Sequence, residues 1–258
     1  MIKLIDLHCH ILPYVDDGAL RTEESERLLD MLFEQGVRVV CATPHLRHRM
    51  FETPDVEIQT QFAELQAYAE RKGYPMRLFL SREYHCDKLF RERLDSGTVL
   101  CMGVGNTVLS EFSQLHDFDY IHGWVKELCA AGLQPLIAHV ERYPALTGSL
   151  DKVSTLIQAG AKLQMNAGSV LGHEGLRQAK WSRSLLKESL VHVIASDSHD
   201  PIDRPPELDE CQRYLRKKVG DAYTDALMRD NPMRILSTIE KETSSHANNP
   251  TEAREAPL

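Results

Sequence analysis

The sequence predicts an α/β domain of about seven βα units wound around a parallel sheet or barrel. Three observations point there. Short apolar runs alternate with longer amphipathic ones along most of the chain. The 258 residues suffice for one large core, and barrels of this length are commonly a single domain. A histidine or carboxylate follows nearly every apolar run, at strand C-terminal ends, which converge on one face of a βα barrel.

The first run, residues 2–7, ends in Ile5-Asp6-Leu7-His8-Cys9-His10, with Asp16-Asp17-Gly18 soon after. Thr22 is expected to cap a first helix, with Glu23 and Glu24 in its positive first turn, and the helix should stop before Gly36. Residues 38–42 read as the second strand. Thr53-Pro54 opens a second helix, with proline at its first position, running to Gly73. Strands are then expected at 76–80, 107–110, 134–138, 162–166 and 191–195. Helices should lie near 120–131, 151–159, 175–189 and 206–219. No internal repeat is visible. Residues 241–258, rich in Glu, Ser, Asn, Pro and Ala without an apolar period, read as a disordered tail, leaving 1–240 as the folded domain.

Composition excludes several classes. A formal charge of −8 and a pI near 5.8 offer no basic face, so nucleic acid is not an expected partner. No apolar run reaches membrane-spanning length and no secretory signal opens the chain, so a cytoplasmic protein is expected. The six cysteines lack Cys-x-x-Cys spacing and read as reduced, mostly buried small hydrophobes.

Residues two apart on a strand share a face, so His8 and His10 aim at one point. A lone His-x-His is ordinary. Here the chemistry recurs at later strand ends, giving nine donors: His8, His10, His45, His139, His199, Asp17, Glu83, Glu111 and Asp197. One metal cannot use nine protein ligands, whereas two or three sharing bridging carboxylates can. Such clusters bind phosphate oxygens and generate hydroxide near neutral pH. His48, His85, His116, His122, His173, His192 and His246 read as surface or core residues. Arg142, in Ala-His-Val-Glu-Arg-Tyr, and Arg204, in Asp-Ser-His-Asp-Pro-Ile-Asp-Arg, suit an anion, because a guanidinium can hold two phosphate oxygens at once. The alternative for each is a surface ion pair, with Glu141 or Asp203 as near neighbours.

These stretches, together with Thr43-Pro44-His45, Met50-Phe51-Glu52-Thr53-Pro54, Leu109-Ser110-Glu111-Phe112, His192-Val193-Ile194-Ala195-Ser196-Asp197-Ser198-His199 and Asn231-Pro232, resemble the PHP (polymerase and histidinol phosphatase) superfamily. Within it they are most similar to the bacterial capsule and exopolysaccharide protein-tyrosine phosphatases of the CpsB/YwqE type. The resemblance implies a distorted (β/α)7 TIM-like barrel and a hydrolase in which a metal-bridging hydroxide attacks phosphotyrosine. It implies three divalent metal ions: His8, His10, Glu83 and Asp197 on the first, Glu83, Glu111 and His139 on the second, and Asp17, His45 and His199 on the third. Mixed imidazole and carboxylate donors suit Mn²⁺, Fe²⁺ or Zn²⁺; Mn²⁺ is expected. Arg142 and Arg204 would act catalytically by clamping the phosphate, with Arg47 and Arg49 at the rim. The implied partner is the tyrosine-rich tail of a bacterial tyrosine kinase. Tyr14, Val140 and Arg82 depart from the pattern, which has glycine, often proline and a small residue at those positions.

Three other readings compete. Cys41-Ala-Thr-Pro-His-Leu-Arg47 matches the Cys-x5-Arg spacing of cysteine-dependent phosphatases, but it lacks the glycines of a phosphate cradle. A small phosphomonoester such as histidinol phosphate would keep the metals and change the substrate. A regulatory protein without turnover would be marked by lost ligands, and none is lost.

Overall fold

A computed structural model describes residues 4–237 of the chain. The strands are β1 (Leu4–Cys9), β2 (Val37–Ala42), β3 (His45–Leu46), β4 (Arg77–Leu80), β5 (Glu83–His85), β6 (Thr107–Glu111), β7 (Gln134–Ile137), β8 (Lys162–Asn166) and β9 (Val193–Ala195). The helices are α1 (Thr22–Glu34), α2 (Asp55–Arg71), α3 (Lys88–Asp95), α4 (Phe118–Ala130), α5 (Leu150–Gln158), α6 (Ala167–Leu171), α7 (Leu176–Lys187), α8 (Leu208–Val219), α9 (Asp221–Asp225) and α10 (Asn231–Ser237). The expected tail at 241–258 lies outside the described residues.

All strand pairings are parallel, in the orders β1-β2-β4 and β3-β5-β6-β7-β8-β9. The nine segments occupy seven strand positions, because two strands are interrupted. β2 resumes as β3 after Pro44, which has no N–H to donate to a ladder. β4 resumes as β5 after Ser81-Arg82. The amides of Ser81 and Glu83 donate to the carbonyls of Ala42 (2.9 Å) and Pro44 (3.1 Å), carrying the pairing across the break. The curled sheet closes at its far seam. Cys9 bridges Ser198, the His10 amide donates to the Ser198 carbonyl (2.8 Å), and the Asp197 amide donates to the His8 carbonyl (2.8 Å). Asp6 stitches the same seam by accepting from the Ser196 amide (3.0 Å) and hydroxyl (2.5 Å). The result is a distorted barrel of seven βα units, as the sequence predicts.

Two apolar layers follow. Outside, the helices bury their apolar stripes against the sheet. Inside, Ile5, Leu7, Val39, Leu109, Leu136 and Val193 fill the lower barrel, plugged by Ile235 and Leu236 of α10. Above this floor the lining turns polar. A register irregularity between Asp6 and Cys9 accompanies the change: Leu7 belongs to the inner cluster, while the next residue, His8, already faces the site.

The boundaries shift in informative places. Arg21, not Thr22, caps α1, without a side-chain hydrogen bond, and Pro54 stands at the cap of α2 rather than inside it. Helix α3 falls where the sequence pattern predicts no element; Asp87 caps it, accepting from the amides of Leu89 and Phe90. The six cysteines carry free thiols, four of them buried. Among the described residues no helix is long and apolar enough to cross a membrane.

Candidate metal centre

The nine predicted donors meet at the C-terminal mouth of the barrel. His8 and His10, both fully buried, bring their Nε2 atoms within 3.1 Å of each other. Glu83 Oε2 lies 3.2 Å from both nitrogens. Asp197 Oδ1, just past β9, lies 3.3 Å from His8 and 3.5 Å from His10. Donor atoms of His8, His10 and Asp197 thus form one compact group. His45, Glu83 and Glu111 form a second: His45 Nδ1 is 3.1 Å from Glu83 Oε2 and 3.3 Å from Glu111 Oε1. His10, Asp17, His45 and His199 form a third, in which Asp17 Oδ1 is 3.5 Å from Nε2 of both His45 and His199. His139 Nε2 reaches Glu83 Oε1 at 2.9 Å and Glu111 Oε2 at 4.0 Å. This grouping differs from the implied one: His45 presents one nitrogen to Glu83 and Glu111 and the other to Asp17, His10 also joins the third group, and His139 meets Glu83 and Glu111 from outside the compact second group.

Several side chains hold the donors in place. Asp16 Oδ2 is 2.7 Å from His10 Nδ1, so an Nδ1 proton is directed at Asp16 and Nε2 is the ring atom turned to the site. Asp16 also accepts from the amides of His45 (2.8 Å) and Gly18 (3.0 Å). Gln164 Oε1 accepts from the His139 amide (2.7 Å) and from His8 Nδ1 (3.1 Å). Asn166 donates to Asp197 Oδ2 at 2.6 Å. The sequence reading missed these roles. Gln164 had a signal, being a polar residue between Leu163 and Met165 in the middle of β8. His139 and Asp197 both adopt left-handed backbone, φ 33° and 52°, strain of a kind concentrated at functional sites.

The electrostatics ask for cations. His45 Nδ1, Glu83 Oε2 and Glu111 Oε1 are buried without a hydrogen-bond partner. Burial opposes the charge on Glu83, but the surrounding histidines outweigh it and hold its carboxyl well below the usual range. Asp197 is held down likewise, by His8, Arg204 and His199 against its burial. Burial also opposes protonation of His8 and His10, yet Glu83 and Asp197 raise the first to about 9, and Asp16 and Glu83 raise the second to about 10. His199 goes the other way, down to about 4, through burial and the charge of His10. Imidazole and carboxylate donors in this arrangement fit borderline divalent metals.

A cavity of about 360 Å³ opens over the donors. Its lining includes Arg142, Arg204 and Arg47 together with Phe51 and Phe112. Arg142 and Arg204 are both engaged. Arg142 Nη1 is 3.0 Å and Arg204 Nη2 2.9 Å from Asp197 Oδ2. Arg142 also pairs along its other edge with Glu174, at 2.9 and 2.6 Å. Their partners are therefore Asp197 and Glu174, not Glu141 or Asp203. Tyr14 takes a left-handed backbone, φ 67°, with its side chain in solvent, which explains why glycine suits that position. Val140 is buried in the turn after β7. Of the remaining histidines, His85 is buried beside Asp87 and His173 pairs with Glu207 on the surface, while His246 lies outside the described residues.

A family model described as capsular polysaccharide synthesis, CpsB/CapC, matches residues 4–237. The chain belongs to the CpsB/CapC family. Tyrosine-protein phosphatase CpsB of Streptococcus pneumoniae is 33% identical to this CpsB/CapC chain over 238 residues, covering 90% of it and 98% of the relative. Tyrosine-protein phosphatase YwqE of Bacillus subtilis is 27% identical over 217 residues, covering 84% and 85%. A crystal structure from work on YwqE and S. pneumoniae CpsB, described as unique metal-dependent tyrosine phosphatases, superimposes with a TM-score of 0.83 at 26% identity, covering 90% and 94%. A histidinol phosphate phosphatase from Lactococcus lactis shares the fold, with a TM-score of 0.57 at 14% identity.

Two predictions follow from this geometry. A Cβ on Gly18 would lie 2.1 Å from the His10 carbonyl oxygen, so Gly18→Ala must displace the loop bearing Asp16 and Asp17. Chemical denaturation should show a loss of about 1–3 kcal/mol. Without cations, His8 and His10 keep protons that an unfolded chain releases near pH 6.5. Their stabilisation is complete below that pH and is lost as pH rises through about 9 and 10. Chelator-stripped protein should therefore lose several degrees of Tm across this window, and metal-loaded protein clearly less.

Proposed function

We propose that this CpsB/CapC protein is a metal-dependent protein-tyrosine phosphatase that holds three divalent ions, with Mn²⁺ the activating metal. The observation that carries the reading is the convergence of buried donor atoms on His45, Glu83 and Glu111, which face one another at 3.1 and 3.3 Å without forming a hydrogen bond and belong to residues that line the cavity. The nine donors are assigned as metal ligands, with Glu83 shared. When bound, divalent ions in such a site activate water and neutralise phosphate oxygens.

The chain's own groups do the rest. Arg142 and Arg204 offer their remaining N–H groups to the phosphate and stabilise negative charge as it develops. Asp197 holds both guanidiniums in reach. Phe51 and Phe112 in the lining give the cavity aromatic surface suited to a phenyl ring. A phenol of pKa about 10 departs readily, so no strong general acid is required. Cysteine chemistry is disfavoured. Cys41 lies in the inner apolar cluster, and burial pushes its thiol far above the ordinary range.

The substrate we assign is a phosphotyrosine-bearing flexible tail of a tyrosine kinase that governs polysaccharide export, met in the cytoplasm. The capsular description of the family supports this assignment. An open mouth would admit an extended peptide.

Removing Glu83, the shared ligand, should be most damaging. Glu83→Ala should cut kcat/KM by more than the roughly 10–100-fold typical of partners outside the ligand set, while Cys41→Ser leaves it near wild type. The opposite pattern would overturn the metal assignment. Rates on phosphotyrosine, phosphoserine and histidinol phosphate decide the substrate class, and a clear preference for histidinol phosphate would sink the tyrosine reading.

A further inference from the structure

Arg82 sits in the break between β4 and β5, immediately before Glu83, and its side chain is only 1% exposed. A lone buried guanidinium is costly unless its donors are met. Here Nε is left without a hydrogen-bond partner, and the two terminal nitrogens reach three places on one stretch of chain. Nη1 donates to Asp55 Oδ1 at 2.6 Å and to the Thr53 carbonyl at 3.2 Å. Nη2 donates to the Thr53 carbonyl and the His45 carbonyl, both at 3.1 Å. Asp55, at the start of α2, is gripped from its other side by Arg93 of α3.

The stretch so held, residues 45–55, forms one lip of the cavity. It begins with His45 and closes on itself by paired hydrogen bonds between Arg47 and Phe51, each 2.9 Å. The Phe51 ring stacks on the His45 imidazole, with centroids 5.1 Å apart and planes 11° from parallel. Arg82 therefore grips both ends of the lip from below, once at the backbone of His45 and again where α2 begins. An ammonium would not replace it fully, because its donors radiate from one atom whereas the fork places two nitrogens against separate acceptors.

We propose that Arg82 is a positioning residue that fixes this lip. By doing so it keeps the two His45 nitrogens directed at Asp17 and at the Glu83–Glu111 pair before any substrate arrives. The effect on metal retention rests on the metal reading above; the effect on lip order does not.

The test uses the full chain with Arg82→Met and Arg82→Lys. Amide hydrogen exchange across residues 45–53 reports lip order. Elemental analysis after Mn²⁺ loading and dialysis reports retention, and peptide kinetics separate KM from kcat. Arg82→Met should exchange about 10-fold or more faster in the lip alone, keep fewer Mn²⁺ per chain and show a raised KM, with Arg82→Lys in between. Wild-type exchange and retention in Arg82→Met would overturn the proposal, and so would acceleration spread evenly over the barrel. Should Arg82→Met fail to fold, Asp55→Asn removes the exposed anchor of the same fork. It must loosen the lip in the same direction, and wild-type exchange there counts against the proposal. A wild-type chain that retains no Mn²⁺ would sink the metal reading, leaving lip exchange to decide on Arg82.

Discussion

The carboxylate of Glu83 is the constraint around which the molecule is arranged. It is fully buried, ionised, and placed where the interrupted third strand restarts at the barrel mouth. A negative charge in that position is tolerable only if cationic or metal partners surround it. His8 and His10 come from the first strand, His45 from the second and His139 from the end of the fifth. The four are supplied by three separate strands of the barrel, so the charge at the centre and the closure of the sheet depend on one another.

Asp197 plays the corresponding part at the seam. Its amide ties β9 back to the His8 carbonyl, one carboxylate oxygen faces the histidines, and the other takes Arg142, Arg204 and Asn166. One residue thus joins barrel closure, the donor cluster and the phosphate-facing wall. The left-handed backbone it adopts is the local cost of serving all three.

The strand positions were legible because each carries a compact apolar run, and the donors because they follow those runs directly. The interruptions were not. Pro44 and Ser81-Arg82 split strands whose restarts, His45–Leu46 and Glu83–His85, are too short to show a period of their own. Nor could local sequence reveal that His45 serves two groups, since that depends on a ring orientation set against Phe51. Asp16 and Gln164 act on residues far from them along the chain, and such orienting contacts leave almost no local pattern. The arginines were found, but their joint hold on Asp197 was visible only in three dimensions.

The plug formed by α10 divides the molecule by task. Leu236 accepts a hydrogen bond from Val104, in the segment leading into β6, and its backbone leaves no room for a side chain at Gly103. The described chain therefore ends at the N-terminal side of the strands, across the apolar floor from the mouth. Anything joined beyond Ser237 starts from the face opposite the chemistry. Tethered to a bead or sensor surface at Ser237 itself, the protein would present its open mouth outward to a macromolecular substrate.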